Sequence, residues 1–155
     1  MRILKSSDQY LIMVVGAPPT ERVVKIALRD GEKLQREVER LRALAVYPSL
    51  RDRLPPILAL GTAGTGVHRG KRAYLMPMLA GQTFSAYVQS SATEPEALRS
   101  AFPMIIRGLL DIADEAMRHG HEPLRNMIAG FLLGQHFKEM AFLDPGTRHL
   151  NVALA

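Results

Sequence analysis

Two features of this sequence could do chemistry: a lysine inside an apolar run, and a pair of histidines around a glycine. Lys25 stands in the middle of "RVVKIAL", residues 22–28. A lysine buried in such a run is costly unless it is paired. On an edge strand it could instead snorkel to water. The stretch "RHGHEPLRNMIAG", residues 118–130, carries His119 and His121, with Asn126 five residues after the second histidine. A neutral imidazole can accept a proton near pH 7. Together with His136 or His149 the two histidines could ligate zinc, although an H-x-H pair with no fixed third ligand is more often a loop feature. "GTAGTGVHRGKR" is not a phosphate-binding P-loop. Gly66 and Gly70 are separated by three residues, and Lys71 is followed by Arg72 where Ser or Thr is needed. A β-turn explains it better.

The elements that must position these residues can be read from periodicity. "YLIMVV" (10–15) is a short β-rich run that stops at the Gly/Pro turn "GAPPTE". "RVVKIAL" resumes as a second strand, so the two predict an antiparallel hairpin, with "MRIL" as a further edge strand. Both runs are apolar at nearly every position, which suggests burial on both faces. Residues 31–46 read as a helix, with Leu34, Val38, Leu41 and Ala45 at helical spacing. With Val38 at zero and about 100° per residue, Glu37 falls near −100°, beside Leu41 and Leu44, and Glu39 near +100°, on the open face.

After the proline-containing connector "YPSLRDRLPP", "ILALGTA" and "RAYLMPML" read as two strands around a glycine-rich turn. "TFSAYVQS" reads as a short helix. Thr93, three residues before Glu96, is the expected N-cap of a long helix that runs to about Met117. Ile106, Leu109, Leu110, Ala113 and Met117 form its expected apolar face, and Pro103 is expected to kink or divide it. The apolar segment "MIAGFLL", a turn and a strand "MAFL" follow, then "DPG".

Bulk composition bounds the partners. The chain has 155 residues, 47% of them hydrophobic, which suits one domain or two small lobes with a packed core. Cysteine is absent, so disulfides and thiolate zinc sites are excluded. The net charge of +5 favours anionic partners such as nucleotide phosphate. The basic residues are spread out and lack an aromatic RNA-binding signature, so nucleic acid is not the expected partner. "KSSDQ" interrupts any N-terminal signal peptide, and no apolar run is long enough to span a membrane. A cytoplasmic location is expected.

Taken in order, "VVKIA", the helix with "REVERLRAL", and the strands ending "AYLMPMLAG" resemble the N-lobe of the protein-kinase-like superfamily. The resemblance is closest to the aminoglycoside phosphotransferases and related small-molecule kinases, and it spans residues 10–146. It implies an α+β, two-lobed fold. An antiparallel β-sheet N-lobe with one helix would occupy residues 1–80. A reduced, mainly helical C-lobe with catalytic-loop-like and metal-aspartate-like segments would occupy 81–155. A cleft between two such lobes is a natural small-molecule site.

The resemblance also implies roles. Lys25 would hold the phosphates of ATP and pair with Glu37. Met76 would face the rear of the nucleotide pocket. Met78 would lie on the hinge, where backbone groups receive adenine. Read as plain residues, both methionines are core filling. The small-molecule kinases carry His-Gly-Asp, four residues, then Asn. His119, Gly120 and Asn126 match, and His121 stands at the catalytic aspartate position. Asp144 in "AFLDPG" resembles the family's metal-binding aspartate, a carboxylate suited to Mg2+, with Asn126 as a second oxygen ligand.

Three departures weigh on activity. "ILKSSDQY" stands where a glycine-rich phosphate loop belongs and holds no glycine. Histidine at position 121 brings no negative charge to a site where aspartate orients the substrate hydroxyl. The sequence ends at Ala155, soon after Asp144, without the remaining helices of a full C-lobe, as expected of a truncated chain or of a reduced fold. The expected function is an ATP- and magnesium-dependent phosphotransferase acting on a small hydroxylated substrate. The alternatives are a pseudokinase-like nucleotide-binding or interaction module with a protein partner, and a structural domain without this chemistry. Lys25, Glu37 and Asp144 together speak against the last.

Overall fold

The hairpin expected at residues 10–28 is present and forms the middle of a larger sheet. Strand β2 (Tyr10–Val15) pairs antiparallel with β3 (Arg22–Ala27). Strand β1 (Arg2–Ser6) adds at the β2 edge, with an irregularity between Ile3 and Lys5. Strands β4 (Ala59–Thr62) and β5 (Arg72–Pro77) pair with each other, and β5 returns to the far side of β3. The resulting order is β1-β2-β3-β5-β4, antiparallel throughout. The computed structural model describes residues 1–90, 94–120, 141–143 and 150–152. Over these the chain is α+β. It divides into two compact units, Met1–Val46 with Pro55–Met78, and Tyr47–Leu54 with Leu79–Ala155.

In the first unit the sheet carries helix α1 (Gly31–Leu44) on one face. Asp30 caps the helix by accepting the Lys33 N–H at 2.9 Å. Leu34 and Val38 are fully buried against Val23, Ala27, Tyr74 and Met76. The opposite face gathers Leu11, Ile26 and Ala73, with Met13 and Val24 partly covered, so the strands bury side chains on both sides. Leu44 takes the buried place expected of Ala45, which instead closes the helix as its C-cap residue. The "GTAGTGVHRGKR" stretch is the β4–β5 connection. Its ends close through Ala63 and Lys71, and a short 3₁₀ turn spans Gly66–His68.

In the second unit, helix α2 (Pro48–Arg51) starts with proline at its first turn and packs on helix α4 (Pro95–Arg118). Two expectations for α4 are corrected. Glu94 is the N-cap residue and makes no side-chain cap bond, because Pro95 occupies the first turn and sets where the helix begins. Thr93 lies outside the described residues. The buried stripe is Ile105, Leu109, Ile112 and Ala116, with Ala113 at its border. Leu110 and Met117 are exposed. Leu109 and Ala113 are buried as expected, and the stripe as a whole is turned by about 70°. Apolar residues cover more than one side of this helix, so periodicity alone could not choose the docked side. The helix also continues through Pro103, which sits on its exposed side.

Strand β6 (Gln82–Thr83) leads into α3 (Phe84–Ser90), and β6 pairs with β7 (Ala141–Leu143), which pairs with β8 (Leu150–Val152). Thus the strand expected before Asp144 is present. No described helix is long and apolar enough to cross a membrane.

Candidate functional site

Lys25 is held at the centre of the five-stranded sheet, between Ile12 on β2 and Tyr74 on β5. It is only 6% exposed. The snorkelling alternative required an edge strand and is therefore ruled out. Glu37, 7% exposed, reaches the ammonium from α1. Lys25 Nζ donates to both carboxylate oxygens, at 2.9 Å to Oε1 and 2.8 Å to Oε2. The inward angle of Glu37 is thus realised. Glu39 stays on the exposed side and accepts a bond from Gln35 Nε2 at 2.8 Å.

Two tyrosines complete the cluster, and neither was singled out from the sequence. Tyr74 Oη donates to Glu37 Oε1 at 2.9 Å. Burial pushes the Tyr74 phenol well above its ordinary pKa, and the Glu37 charge and hydrogen bond push the same way. Tyr10 lays its ring under Lys25 Nζ, 4.4 Å from the ring centroid; the Tyr74 ring is 5.8 Å away. Such contacts favour the charged ammonium. The available signal was strand alternation: Tyr74 precedes Met76 by two residues and so shares its face. That face meets Lys25 only through the β3–β5 pairing, which is non-local.

The turn before β2 departs from a phosphate-binding loop in a specific way. Ser7 Oγ accepts the N–H of Gln9 at 3.3 Å and of Tyr10 at 3.0 Å. The Ser7 N–H donates to the Tyr10 carbonyl at 2.9 Å. These three amides are engaged inside the turn. An outward Asp8–Arg29 ion pair at 3.2 Å also ties the turn to the end of β3. Met76 is buried opposite Val23, in the core-filling role open to it. Met78 is exposed, and its N–H points to the Glu21 carbonyl at 3.4 Å.

His121, Asn126 and Asp144 lie outside the described residues, as do His136 and His149. The beginning of their segment is described. Gly120, at φ 78°, takes the left-handed conformation that ends α4, and its N–H returns to the Met117 carbonyl. The His119 ring stacks on Tyr47, with centroids 3.5 Å apart and planes 13° apart. Its Nε2 lies 3.2 Å from Glu115 Oε1, which also accepts the Ser49 hydroxyl at 2.7 Å. His119 is thus engaged in closing this helix end. Among the described residues no group of three potential ligands could hold a metal ion.

Glu115 yields a pH prediction. The Ser49 hydrogen bond, then that of His119, hold its carboxyl below the ordinary glutamate range. Burial opposes this, and the charges of Arg118 and His119 add to it. A lowered folded-state pKa means that its stabilising contribution is present above the ordinary glutamate pKa. The contribution is lost as pH falls through the depressed value. The Tm advantage of the wild type over Glu115→Gln should therefore be present at pH 7 and shrink as pH drops below about 4. An advantage that stays constant across that window would contradict the assignment.

The chain matches no family model and none of the curated proteins with which it was compared.

Proposed function

We propose that this chain is a kinase-like phosphotransferase that binds ATP and magnesium and acts slowly on a small hydroxylated substrate. The observation that carries the reading is the Lys25–Glu37 pair, buried between the central strand of an antiparallel sheet and the single helix packed on it. Burying two charges costs several kcal/mol per ion before their attraction offsets it, and a pair of apolar residues would often serve stability as well. A site that must present a fixed cation to phosphate oxygens gives such a pair a purpose. In this reading Lys25 holds phosphates and Glu37 orients Lys25. Met76 lies behind the nucleotide and Met78 beside its base. Asn126 and Asp144 hold magnesium, and His121 takes the base position. The strand ending at Leu143, directly before Asp144, agrees with the order of elements this assignment requires.

A second reading has its own support. The Ser7-braced turn spends amides that a glycine-rich loop would offer to phosphate, and His121 replaces a carboxylate. These favour a pseudokinase-like module that binds nucleotide, or a protein partner, without turnover. ADP release measured with ATP, magnesium and a panel of hydroxylated acceptors separates the two. Acceptor-dependent release above the spontaneous rate supports the phosphotransferase. Nucleotide binding with background release supports the module.

A further inference from the structure

We propose that the Tyr10 hydroxyl is a second anchor for the anionic ligand of Lys25, contacting a phosphate oxygen in place of the backbone amides that the preceding turn keeps for itself. The inference rests on the nucleotide-binding reading above and adds a specificity-determining residue to it.

Three observations converge on Tyr10. The first is position. Tyr10 is the first residue of β2, directly after the turn that stands where a phosphate loop would be, and that turn has its Ser7, Gln9 and Tyr10 amides engaged internally. The second is direction. The Tyr10 side chain lies on the same sheet face as Lys25, with its ring under the ammonium. A lysine ammonium has three N–H donors, and Glu37 takes two of them. Among the described residues the third meets no oxygen acceptor.

The third observation is the hydroxyl itself. Tyr10 Oη is buried and finds no hydrogen-bond partner among the described residues. A buried polar atom without a partner is uncommon and calls for an explanation, such as a ligand it is waiting to meet. Burial, then the charges of Glu37 and Asp30, push the Tyr10 phenol above its ordinary pKa, so it keeps its proton at neutral pH and can donate it in a hydrogen bond. A spare ammonium N–H and a spare phenol O–H on neighbouring side chains make a two-point donor for one anionic group. Neither tyrosine ring nor turn geometry alone would require the hydroxyl.

Tyr10→Phe tests this, because it removes the hydroxyl and keeps the ring under Lys25. The ligand-free Tm should be unchanged or higher, since no internal hydrogen bond is lost. The Kd for ATP with magnesium should rise about five- to tenfold, and the Kd for inorganic tripolyphosphate should rise by a similar factor. Unchanged affinity for both probes overturns the hydroxyl contact and leaves the nucleotide reading standing. A lower ligand-free Tm overturns it too, because the hydroxyl would then be structural. If the wild type itself binds neither probe, the nucleotide reading fails and this inference fails with it.

Discussion

Replacing Glu37 with leucine should destabilise the chain by about 3–5 kcal/mol, because it leaves a buried ammonium without its counter-charge. The same change removes the acceptor of the Tyr74 hydroxyl, adding a second unsatisfied buried group. The part of the cost that comes from the unpaired charge should disappear in the double variant Lys25→Met/Glu37→Leu, in which both charges go, leaving about 1–3 kcal/mol for the Tyr74 hydroxyl that still lacks its acceptor. Urea unfolding of the wild type, both single variants and the double variant gives the cycle. The expected pattern is a double variant more stable than Glu37→Leu and short of the wild type by no more than the cost of the Tyr74 hydroxyl. A Glu37→Leu variant that loses less than about 1 kcal/mol would mean the pair is solvated rather than buried. Glu39→Leu is the matched control, since that side chain lies on the exposed face and should shift stability little.

His121→Asp should raise ATP turnover with a hydroxyl acceptor, by a factor that stays below the roughly 10²–10⁴-fold worth of a positioned proton acceptor. If the chain is a phosphotransferase, neutral imidazole at position 121 should keep part of that factor. The residual rate of the unmodified chain should therefore fall as pH drops through the ordinary histidine range near 6.5, where imidazole becomes protonated. In the variant this dependence should move to the lower carboxylate range. Steady-state ADP release across pH 5.5–8.5 shows both effects. Background turnover in both forms favours the module without catalysis. High turnover in the unmodified chain, abolished in His121→Asp, would make His121 a catalytic residue of a different mechanism.

What could be read from the sequence follows the range of the interactions involved. The placement of Glu37 inward and Glu39 outward needs only helical geometry and one apolar stripe, and it holds. The hairpin of β2 and β3 needs only two apolar runs and a Gly/Pro turn, and it holds with β1 at its edge. The interior position of Lys25 could not be settled that way. It depends on β5 crossing from some fifty residues downstream to pair with β3, and no local pattern announces that register. Tyr10 and Tyr74 escaped notice for the same reason. They matter through the faces that meet across the sheet, and as single aromatic residues on strands they look ordinary.

The helical half was harder to read. On α4, apolar residues extend round the helix from Ile105 to Leu110, so the choice of buried side falls to α2 docking through Leu50 and its neighbours. The start of α4 follows Pro95, whose fixed φ suits the first turn, more than the hydroxyl of Thr93. Strands β6 and β8 are two and three residues long, too short to carry an alternation that could be recognised. Gly120 belongs to the His-Gly motif and also ends a helix, a role that its positive φ gives it.

The central claim is that the Lys25–Glu37 pair exists to hold nucleotide phosphates. Calorimetric titration of ATP, with and without magnesium, into the wild type and into Lys25→Met/Glu37→Leu tests it most directly, because the double variant is expected to stay folded. Saturable binding to the wild type, tighter with magnesium and weakened about 10–100-fold in the double variant, is the predicted result, on the scale of hydrogen bonds to a charged group. No binding to the wild type, or equal binding to both proteins, would contradict it.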